Sequence, residues 1–401
     1  MKTLVAHPGT QHSSRLARQL ERLGYLSRYW TGLAYIPTTL PGRLIDFLPA
    51  RVRRALSNRR LEGMSRDKLR TQPLIELAAL RRLRSGRDPQ AALFERNAVF
   101  QRRIPASEFV ECDVIIGFDT SSWVLADRAC ALDRSFLLDQ SIAHPLSYQR
   151  LLPVLSKQFP EWAVAGANRL PQLLLAEQAE HRQAQHVIVA SSFTRRTLVD
   201  NGVSPEKIVL NPYGVDLEEF SPAPGRRPSR PVRFLFVGSV GARKGVPLLL
   251  QAWRSLQARD AELWIAGPIL DCHTRSIPPL PGLRLLGKVP HRELPGLLRE
   301  ADVFVFPSYF EGFGLVLLEA LATGLPVIAT EATAAPDLIA DGVEGYIVPT
   351  GNVEALRNAL GRFIERPDDL GPMSVAARLC AERHSWDAYG NRWAELLRQV
   401  A

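Results

Sequence analysis

Short apolar runs alternate with longer segments of helical periodicity along most of the chain, and this alternation constrains the fold more than any other feature. Apolar runs bounded by turn residues predict buried strands. A first series lies at Thr3–Ala6, Val114–Phe118, Phe136–Leu138, Val187–Ala190 and Ile208–Asn211. A second lies at Arg233–Val237, Leu263–Ala266, Leu283–Leu286, Val303–Phe306, Val327–Ala329 and Tyr346–Val348. Strands that alternate with helices predict parallel sheets covered on both faces, so we expect two doubly wound α/β domains.

A segment without periodicity separates the two series. Residues 220–231, FSPAPGRRPSRP, are rich in Pro and Arg and predict a linker. With 401 residues and 46% hydrophobic content, each half of the chain can bury its own core. We expect an N-terminal domain of residues 1–215, a C-terminal domain of residues 232–385, and a last helix in residues 386–401.

The stretch Phe304–Glu319, FVFPSYFEGFGLVLLE, is the strongest functional signal. Its apolar start predicts a strand that Pro307 ends, and the pattern after Gly314 predicts a helix. The N–H groups at a helix start favour an anion such as a diphosphate. Glu311 in the loop and Glu319 in the helix could accept hydroxyls of a sugar and a ribose. Alone, each glutamate would more often be a solvated surface charge, but their order around the turn favours a site.

At these motifs the chain resembles the retaining glycosyltransferases of family 4, also called group 1, which have the GT-B fold. Residues 311–314 with Glu319 are similar to the E-x7-E motif of that family. The likeness continues, in the family's order, through Phe234–Gly245, Leu263–Gly267, Gly287–Pro290 and Gly324–Gly345. It covers nearly all of residues 208–350, whereas the N-terminal half matches only loosely. The GT-B fold implies two Rossmann-like domains facing a central cleft, with the last helix crossing back to the N-terminal domain.

The resemblance implies a nucleoside-diphosphate sugar as co-substrate, bound by the C-terminal domain. Lys244 carries over as a cation for the diphosphate, but the Arg that many members have five residues earlier is Ser239 here, and Arg243 is a candidate substitute. Base contacts in the family come from backbone, so UDP and GDP both stay open. The donor-binding candidates are Gly238, Ser239, Arg243, Lys244, Lys288, Val289, Glu311, Gly312, Phe313, Gly314, Leu315 and Glu319. Without the resemblance, the Arg243–Lys244 pair would be read as a solvated turn.

Two loops of the N-terminal half would face the same cleft. Gly9 and Thr10 follow the first strand, although a structural turn is about as good an interpretation. Family members commonly have a histidine after the strand that ends near Leu138, where this chain has Gln140. His144 is therefore an offset candidate for the reacting face, with a helix or loop role as the equal alternative. The expected catalytic residues are His144, Glu311 and Lys244.

The basic charge of the chain is concentrated in one segment. The formal net charge is +9, and residues 43–103 contain 16 Arg or Lys against 6 Asp or Glu. Between residues 43 and 60, arginines interleave with apolar residues, a pattern typical of a helix on an anionic membrane surface. A helical excursion packed on its own domain explains the pattern equally well. Nucleic acid is disfavoured because no nucleic-acid-binding motif accompanies the cations.

Composition limits the remaining classes. The four cysteines form no CxxC pair, which is typical of a reducing cytoplasm, and no apolar run reaches the ~18 residues of a spanning helix. The chain contains no Asp-x-Asp pair, so we expect no metal and no cofactor besides the nucleotide sugar. The expected location is the cytoplasm, with peripheral contact at the inner face of the cytoplasmic membrane as an extension.

We therefore predict a metal-independent hexosyltransferase that retains the donor's anomeric configuration. It would move a hexose onto a glycan hydroxyl in cell-surface or exopolysaccharide synthesis, with a lipid-linked acceptor. Two alternatives stay open: a GT-B sugar-nucleotide epimerase, and a non-catalytic glycan- or membrane-binding protein with the same fold. The substitutions at Ser239 and Gln140 keep the second alternative open.

Overall fold

Two parallel β-sheets organise the chain. The structure is a computed structural model, and it describes residues 1–9, 11–37, 56, 59–61, 63–162, 169–223, 225, 230–257, 259–269 and 277–400. The first sheet has the strand order β3-β2-β1-β4-β5-β6-β7 and the second has the order β10-β9-β8-β11-β12-β13. Every paired strand is parallel to its neighbour, which requires a crossover between partners. The prediction of two doubly wound α/β domains is confirmed.

The strands of the first sheet carry the apolar runs of the N-terminal half. They are β1 (Thr3–His7), β2 (Leu26–Thr31), β3 (Leu69–Thr71), β4 (Val114–Phe118), β5 (Ser135–Gln140), β6 (His186–Val189) and β7 (Ile208–Leu210). Its helices are α1 (Ser13–Arg22), α2 (Pro73–Arg84), α3 (Pro89–Arg102), α4 (Ala106–Val110), α5 (Trp123–Ala131), α6 (Pro145–Gln158), α7 (Pro171–Gln183) and α8 (Ser192–Val199). Strands β1 and β4 are buried at every position, as expected for central strands covered by helices on both faces.

The second sheet forms the core of the C-terminal domain. Its strands are β8 (Val232–Val237), β9 (Ala261–Ala266), β10 (Leu283–Gly287), β11 (Val303–Phe306), β12 (Val327–Thr330) and β13 (Gly345–Val348). The helices are α9 (Val246–Leu256), α10 (Leu294–Glu300), α11 (Leu315–Ala322), α12 (Ala335–Leu338), α13 (Val353–Glu365), α14 (Leu370–Glu382) and α15 (Trp386–Val400). Strands β11 and β12 are fully buried in the middle of the sheet, which fixes the loops after them at its carboxyl edge.

Every strand predicted from an apolar run is present, but β2 and β3 were missed. Strand β2 reads LSRYWT and β3 reads LRT, so neither is a continuous apolar run. Residues 43–103, predicted as a basic helical excursion, contain helices α2 and α3 but also strand β3, which pairs with β2 at the sheet edge. Most of the predicted membrane-surface helix, residues 43–60, lies outside the described residues, which include only Leu56, Arg59 and Arg60 of it.

The last helix, α15, contacts the N-terminal domain. It packs on α1, and its Trp393 and Tyr389 side chains are completely buried. The Tyr389 hydroxyl lies 3.2 Å from an Asp139 carboxylate oxygen at the end of β5. Arg392 donates to the Asn211 side chain at 2.6 Å. Helix α15 is therefore anchored to the N-terminal domain by packing and by hydrogen bonds.

Candidate active site

A cavity of about 710 Å³ lies between the two domains. The N-terminal domain contributes Gln11 and His12, which follow β1, and Ser141, which follows β5. The C-terminal domain contributes the loops after β8 and β11 and the first turns of α11. Both sheets therefore present the carboxyl ends of their strands to one space, which is where open parallel sheets bind ligands.

Helix α11 starts at the cavity wall. Its N-cap residue, Gly314, has a φ of +87°, and a Cβ atom there would lie 2.6 Å from Cε1 of Phe306. A left-handed conformation with no room for a side chain requires glycine. No side chain caps this helix start. Its first N–H groups are therefore left for a ligand, and they favour an anion.

Glu311 is the centre of a charged cluster in this cavity. Its Oε1 atom lies 2.6 Å from Nζ of Lys244 and 3.0 Å from Nη1 of Arg243, and it also accepts a hydrogen bond of 3.0 Å from Ser308. Burial alone would raise the pKa of Glu311, but Lys244 and Arg243 outweigh that effect and lower its pKa. All three contacts use Oε1, so Oε2 is left for a ligand.

The loop that carries the cations is held against the Glu311 loop. Gly245 has a φ of +72°, and a Cβ atom there would lie 1.9 Å from the carbonyl oxygen of Pro307. Burial lowers the pKa of Lys244, and Glu311 raises it back in part. Arg243 also donates a hydrogen bond of 2.6 Å to the carbonyl of Phe310, so its guanidinium faces the cavity rather than bulk solvent. The substitute proposed for the missing arginine is thus on the correct side of the loop.

Glu319 lies on the wall one turn into α11. Its Oε1 atom is 3.1 Å from Nε2 of His291, and the side chain is 13% exposed. The hydrogen bond with Glu319 raises the pKa of His291. Glu319 therefore already has a cationic partner when His291 is protonated.

The N-terminal wall contains a histidine in a fixed orientation. Nε2 of His12 lies 2.9 Å from Oδ2 of Asp139, and both side chains are almost fully buried. The ring of Tyr213 packs over His12 with its centroid 4.2 Å away. Tyr213 lines the cavity, and its hydroxyl is buried and has no hydrogen-bond partner among the described residues.

The other predicted donor residues divide into two groups. The cavity is lined by Gly238 and by all of residues 311–315, as expected. Ser239, Lys288 and Val289 are absent from the cavity lining, and Lys288 is exposed to solvent. In their place His291 and Leu294 line the cavity at the base of α10. Gly9 lines a neighbouring cavity instead, and Thr10 lies outside the described residues.

The prediction that His144 faces the reacting centre is corrected by the structure. His144 is the N-cap of α6, where its Nδ1 accepts a hydrogen bond of 3.2 Å from the N–H of Leu146. The ring stacks on His181 and lines a separate cavity. Burial lowers the pKa of His144 to about 4. Gln140 is likewise buried, and its side-chain oxygen lies 2.9 Å from Nε2 of His181.

Several residues that line the cavity were not predicted from the sequence, among them His12, Arg15, Tyr213 and His291. His12 lies in the same loop after β1 as Gly9, so its position at the cleft could have been predicted from the sequence. Its partner Asp139 is 127 residues away, and that pairing could not be read from one sequence. Tyr213 and His291 belong to short connections without a recognisable pattern.

Comparison with known proteins points to one group. Residues 231–366 match the family model described as glycosyl transferases group 1. The amylovoran biosynthesis glycosyltransferase AmsK of Erwinia amylovora is 29% identical over 244 residues, which are 55% of this chain and 57% of that protein. The GDP-mannose-dependent alpha-(1-6)-phosphatidylinositol monomannoside mannosyltransferase of Mycolicibacterium smegmatis is 29% identical over 58% of this chain and 67% of its own length. The chain thus spans little more than half of AmsK.

The solved structures extend the likeness to the whole fold. The HepE protein of Anabaena, in complex with UDP-glucose, superposes with a TM-score of 0.64 at 17% identity, covering all of both chains. Sucrose-phosphate synthase from Thermosynechococcus elongatus superposes with a TM-score of 0.65 at 19% identity, over 100% of this chain and 99% of that one. At such identities the superpositions establish a shared fold and no more.

Proposed function

We propose that this chain, which resembles the group 1 glycosyltransferases and has their GT-B fold, is a retaining hexosyltransferase that uses a nucleoside-diphosphate sugar. The observation that carries the proposal is the cluster of Lys244, Arg243 and Glu311 at the uncapped start of α11, with Glu319 one turn further on. Two cations, a helix start and two carboxylates in one cavity match the charges and hydroxyls of such a donor.

The cations and the helix start would stabilise the leaving nucleoside diphosphate. Negative charge develops on the diphosphate as the sugar departs, and preorganised donors lower the barrier most when they face that charge. Nζ of Lys244 uses one of its three donors on Glu311, so the others are available to phosphate oxygens. Arg243 would add a planar guanidinium group. It would take the place of the arginine that many family members have at the position of Ser239.

The carboxylates would hold the two sugars of the donor. Oε2 of Glu311 would accept hydroxyls of the transferred hexose, and Glu319 would accept those of the ribose. The departing phosphate would take the acceptor proton on the same face of the hexose, so the configuration at the anomeric carbon is retained. Among the described residues no three His, Cys, Asp or Glu side chains form a metal site, and we propose that Lys244 and Arg243 supply the positive charge.

The relatives support both candidates for the nucleobase of the donor, uracil and guanine. HepE binds UDP-glucose, and the mycobacterial mannosyltransferase depends on GDP-mannose. AmsK acts in amylovoran biosynthesis, which supports a role in exopolysaccharide or cell-surface polysaccharide synthesis. We therefore keep UDP and GDP sugars as donors to be tested and a growing glycan as the acceptor.

A lipid-linked acceptor on the inner face of the cytoplasmic membrane is supported by the surface of α2. Leu74 is 73% exposed and Leu77 is 47% exposed, while Arg81 and Arg84 are exposed on the same side of the helix. Apolar side chains flanked by arginines suit an anionic membrane surface. In the part of the chain that the structure describes, no helix is long and apolar enough to cross a membrane.

Calorimetry with a panel of nucleoside diphosphates and their sugars tests the donor site. We expect one preferred base, with binding weakened about tenfold or more by Lys244→Ala and by Glu319→Ala, because each removes a hydrogen bond to a charged group. Exposed residues of the same types, Lys157 and Glu354, give matched controls as alanine variants, which should bind like the parent. Absence of binding to every nucleotide would contradict the proposal and favour a non-catalytic protein.

A further inference from the structure

A second cavity of about 580 Å³ lies beside the first and is lined mainly by the N-terminal domain. Gln11 and Ile142 line both cavities, so the two spaces meet at these residues. Phe310, which precedes the donor-site residue Glu311, forms part of the wall. Leu93 and Ile142 are 38% and 37% exposed, so the second cavity is reached from solvent. A molecule bound in the second cavity would therefore lie next to a ligand of the first.

The charged side chains in the described lining of this second cavity are all positive. Its described lining contains two arginines, Arg96 and Arg169, and no Asp or Glu. His7 also lines it, and burial lowers the pKa of His7 to about 3, with Arg96 contributing, so His7 is neutral at physiological pH. The charged groups that a ligand meets here are therefore both cations.

The charge on Arg96 is only partly balanced behind the wall. Oε1 of Glu76 lies 2.6 Å from Arg59, and Oε2 of the same carboxylate lies 3.3 Å from Arg96. One buried carboxylate thus serves two guanidinium groups, which leaves one positive charge in excess. A buried charge without a partner is unfavourable, so an anion at this position would be stabilised.

Arg169 is positioned by Glu177, on which it makes two hydrogen bonds through Nε and Nη2. Burial raises the pKa of Glu177 to about 7, with Arg169 opposing the rise. A guanidinium held in a fixed orientation suits the planar geometry of a carboxylate or the oxygens of a phosphate.

The rest of the wall suits a sugar ring. Tyr148 and Phe310 lie with their ring centroids 5.1 Å apart and form an apolar side. Three glutamines place amide groups in the wall: Gln11, Gln90 and Gln149. Aromatic faces and amides bind neutral parts of a carbohydrate, and the two guanidinium groups add positive charge that pairs best with an anionic group.

We propose that the second cavity binds an acidic acceptor glycoside, whose carboxylate or phosphate lies between Arg96 and Arg169 while its free hydroxyl faces the donor cavity. The proposal rests on the proposed transferase function and names the substrate class of its acceptor side. Uronic acids and phosphorylated sugars are the two sources of the same chemistry.

Binding to matched acceptors tests the inference. The protein is first saturated with the nucleoside diphosphate it prefers, and that titration reports the donor site separately. It is then titrated with p-nitrophenyl glucuronide against p-nitrophenyl glucoside, and with a hexose 6-phosphate against the same hexose. We expect at least one acidic member to bind about tenfold or more tightly than its neutral partner, as a charged hydrogen bond would give. Equal affinities, or no binding by either acid, would overturn the inference while the donor result stands.

Conservative substitutions of Arg96 and Arg169 test whether these two side chains bind the acidic group. Arg96→Lys and Arg169→Lys keep the charge beside Glu76 and Glu177 but lose the planar fork, so both should fold. Each is expected to reduce the acid preference about tenfold and to leave nucleotide affinity unchanged. Arg87→Lys, at an exposed position outside the cavity lining, is the control. An acid preference that both variants retain would show that the anion lies elsewhere.

Discussion

At the scale of single residues, Glu311 has two roles. One oxygen holds Lys244 and Arg243 in place, and the other would accept a hydroxyl of the donor sugar under the proposed function. The order of strand, turn and helix in a short segment was sufficient to predict Glu311 and Glu319, whereas Lys244 was predicted only through the resemblance to a known family. That order was insufficient for His12, whose orientation depends on Asp139 in another loop.

Glu311→Gln separates the two roles. The amide keeps the shape of the side chain but removes the charge that balances Lys244 and Arg243. We expect affinity for the nucleoside diphosphate to stay equal or to rise, because the freed cations attract phosphate more strongly. The extra affinity contributed by the sugar of the full donor should fall about tenfold. Calorimetry with the diphosphate and its sugar measures both, and a parallel loss of both affinities would contradict the assignment.

His181 makes the N-terminal domain sensitive to acid. Burial lowers its pKa to about 3, with His144 contributing, so the folded state binds its proton less readily than the unfolded state. The contribution of His181 to the free energy of unfolding is therefore complete above pH 6.5. It falls as the pH drops below that value, by about 2 kcal/mol at pH 5. In His181→Gln, thermal unfolding followed by circular dichroism should show a smaller loss between pH 7 and pH 5. Equal losses in the two proteins would contradict this.

At the scale of elements, the two loops of the donor site are fixed by glycines with positive φ. Gly245 brings the cation loop against Pro307, and Gly314 brings α11 against Phe306. Central strands and this helix were predictable because their apolar residues are contiguous or periodic. Strands β2 and β3 were not, since edge positions tolerate polar residues and short length.

Gly245→Ala is expected to lower stability by about 3 kcal/mol or more. The new methyl group would collide with the carbonyl of Pro307, and alanine is strained at a φ of +72°. Urea unfolding followed by tryptophan fluorescence measures the loss, and nucleotide binding should weaken with it. Gly361→Ala in α13 is the control, because its nearest atom would be 3.5 Å away and alanine favours a helix. Similar stability of the two variants would contradict the close packing of the loops.

At the scale of the whole molecule, the donor loop is joined to the opposite domain. The carbonyl of Gly312 accepts hydrogen bonds from the hydroxyls of Ser191 and Thr194 at the start of α8. The N–H of Ser192 donates to Asp337 of the C-terminal domain at 2.8 Å. The fold class was predictable from alternating strands and helices, but contacts between residues more than 100 positions apart have no signature in a single sequence.

Thr194→Val removes one of these hydroxyls without changing the size of the side chain. We expect nucleotide to dissociate about tenfold faster, because a hydrogen bond that holds the closed cleft is lost. Stopped-flow measurement of dissociation tests this, and small-angle X-ray scattering should show a larger radius of gyration. Thr71→Val on the edge strand β3 is the control. Unchanged dissociation would mean that the hydroxyl does not hold the domains together.

The hydrogen bonds on Gly312 couple the Glu311 loop to the relative position of the two domains. The loop that would hold the transferred sugar also fastens one half of the molecule to the other. Under the proposed function, release of the nucleotide and separation of the domains would therefore be coupled. The hydroxyls of Ser191 and Thr194 do not line the donor cavity, so with the Ser192–Asp337 hydrogen bond they offer a place where the rate of product release would change without a change in donor specificity.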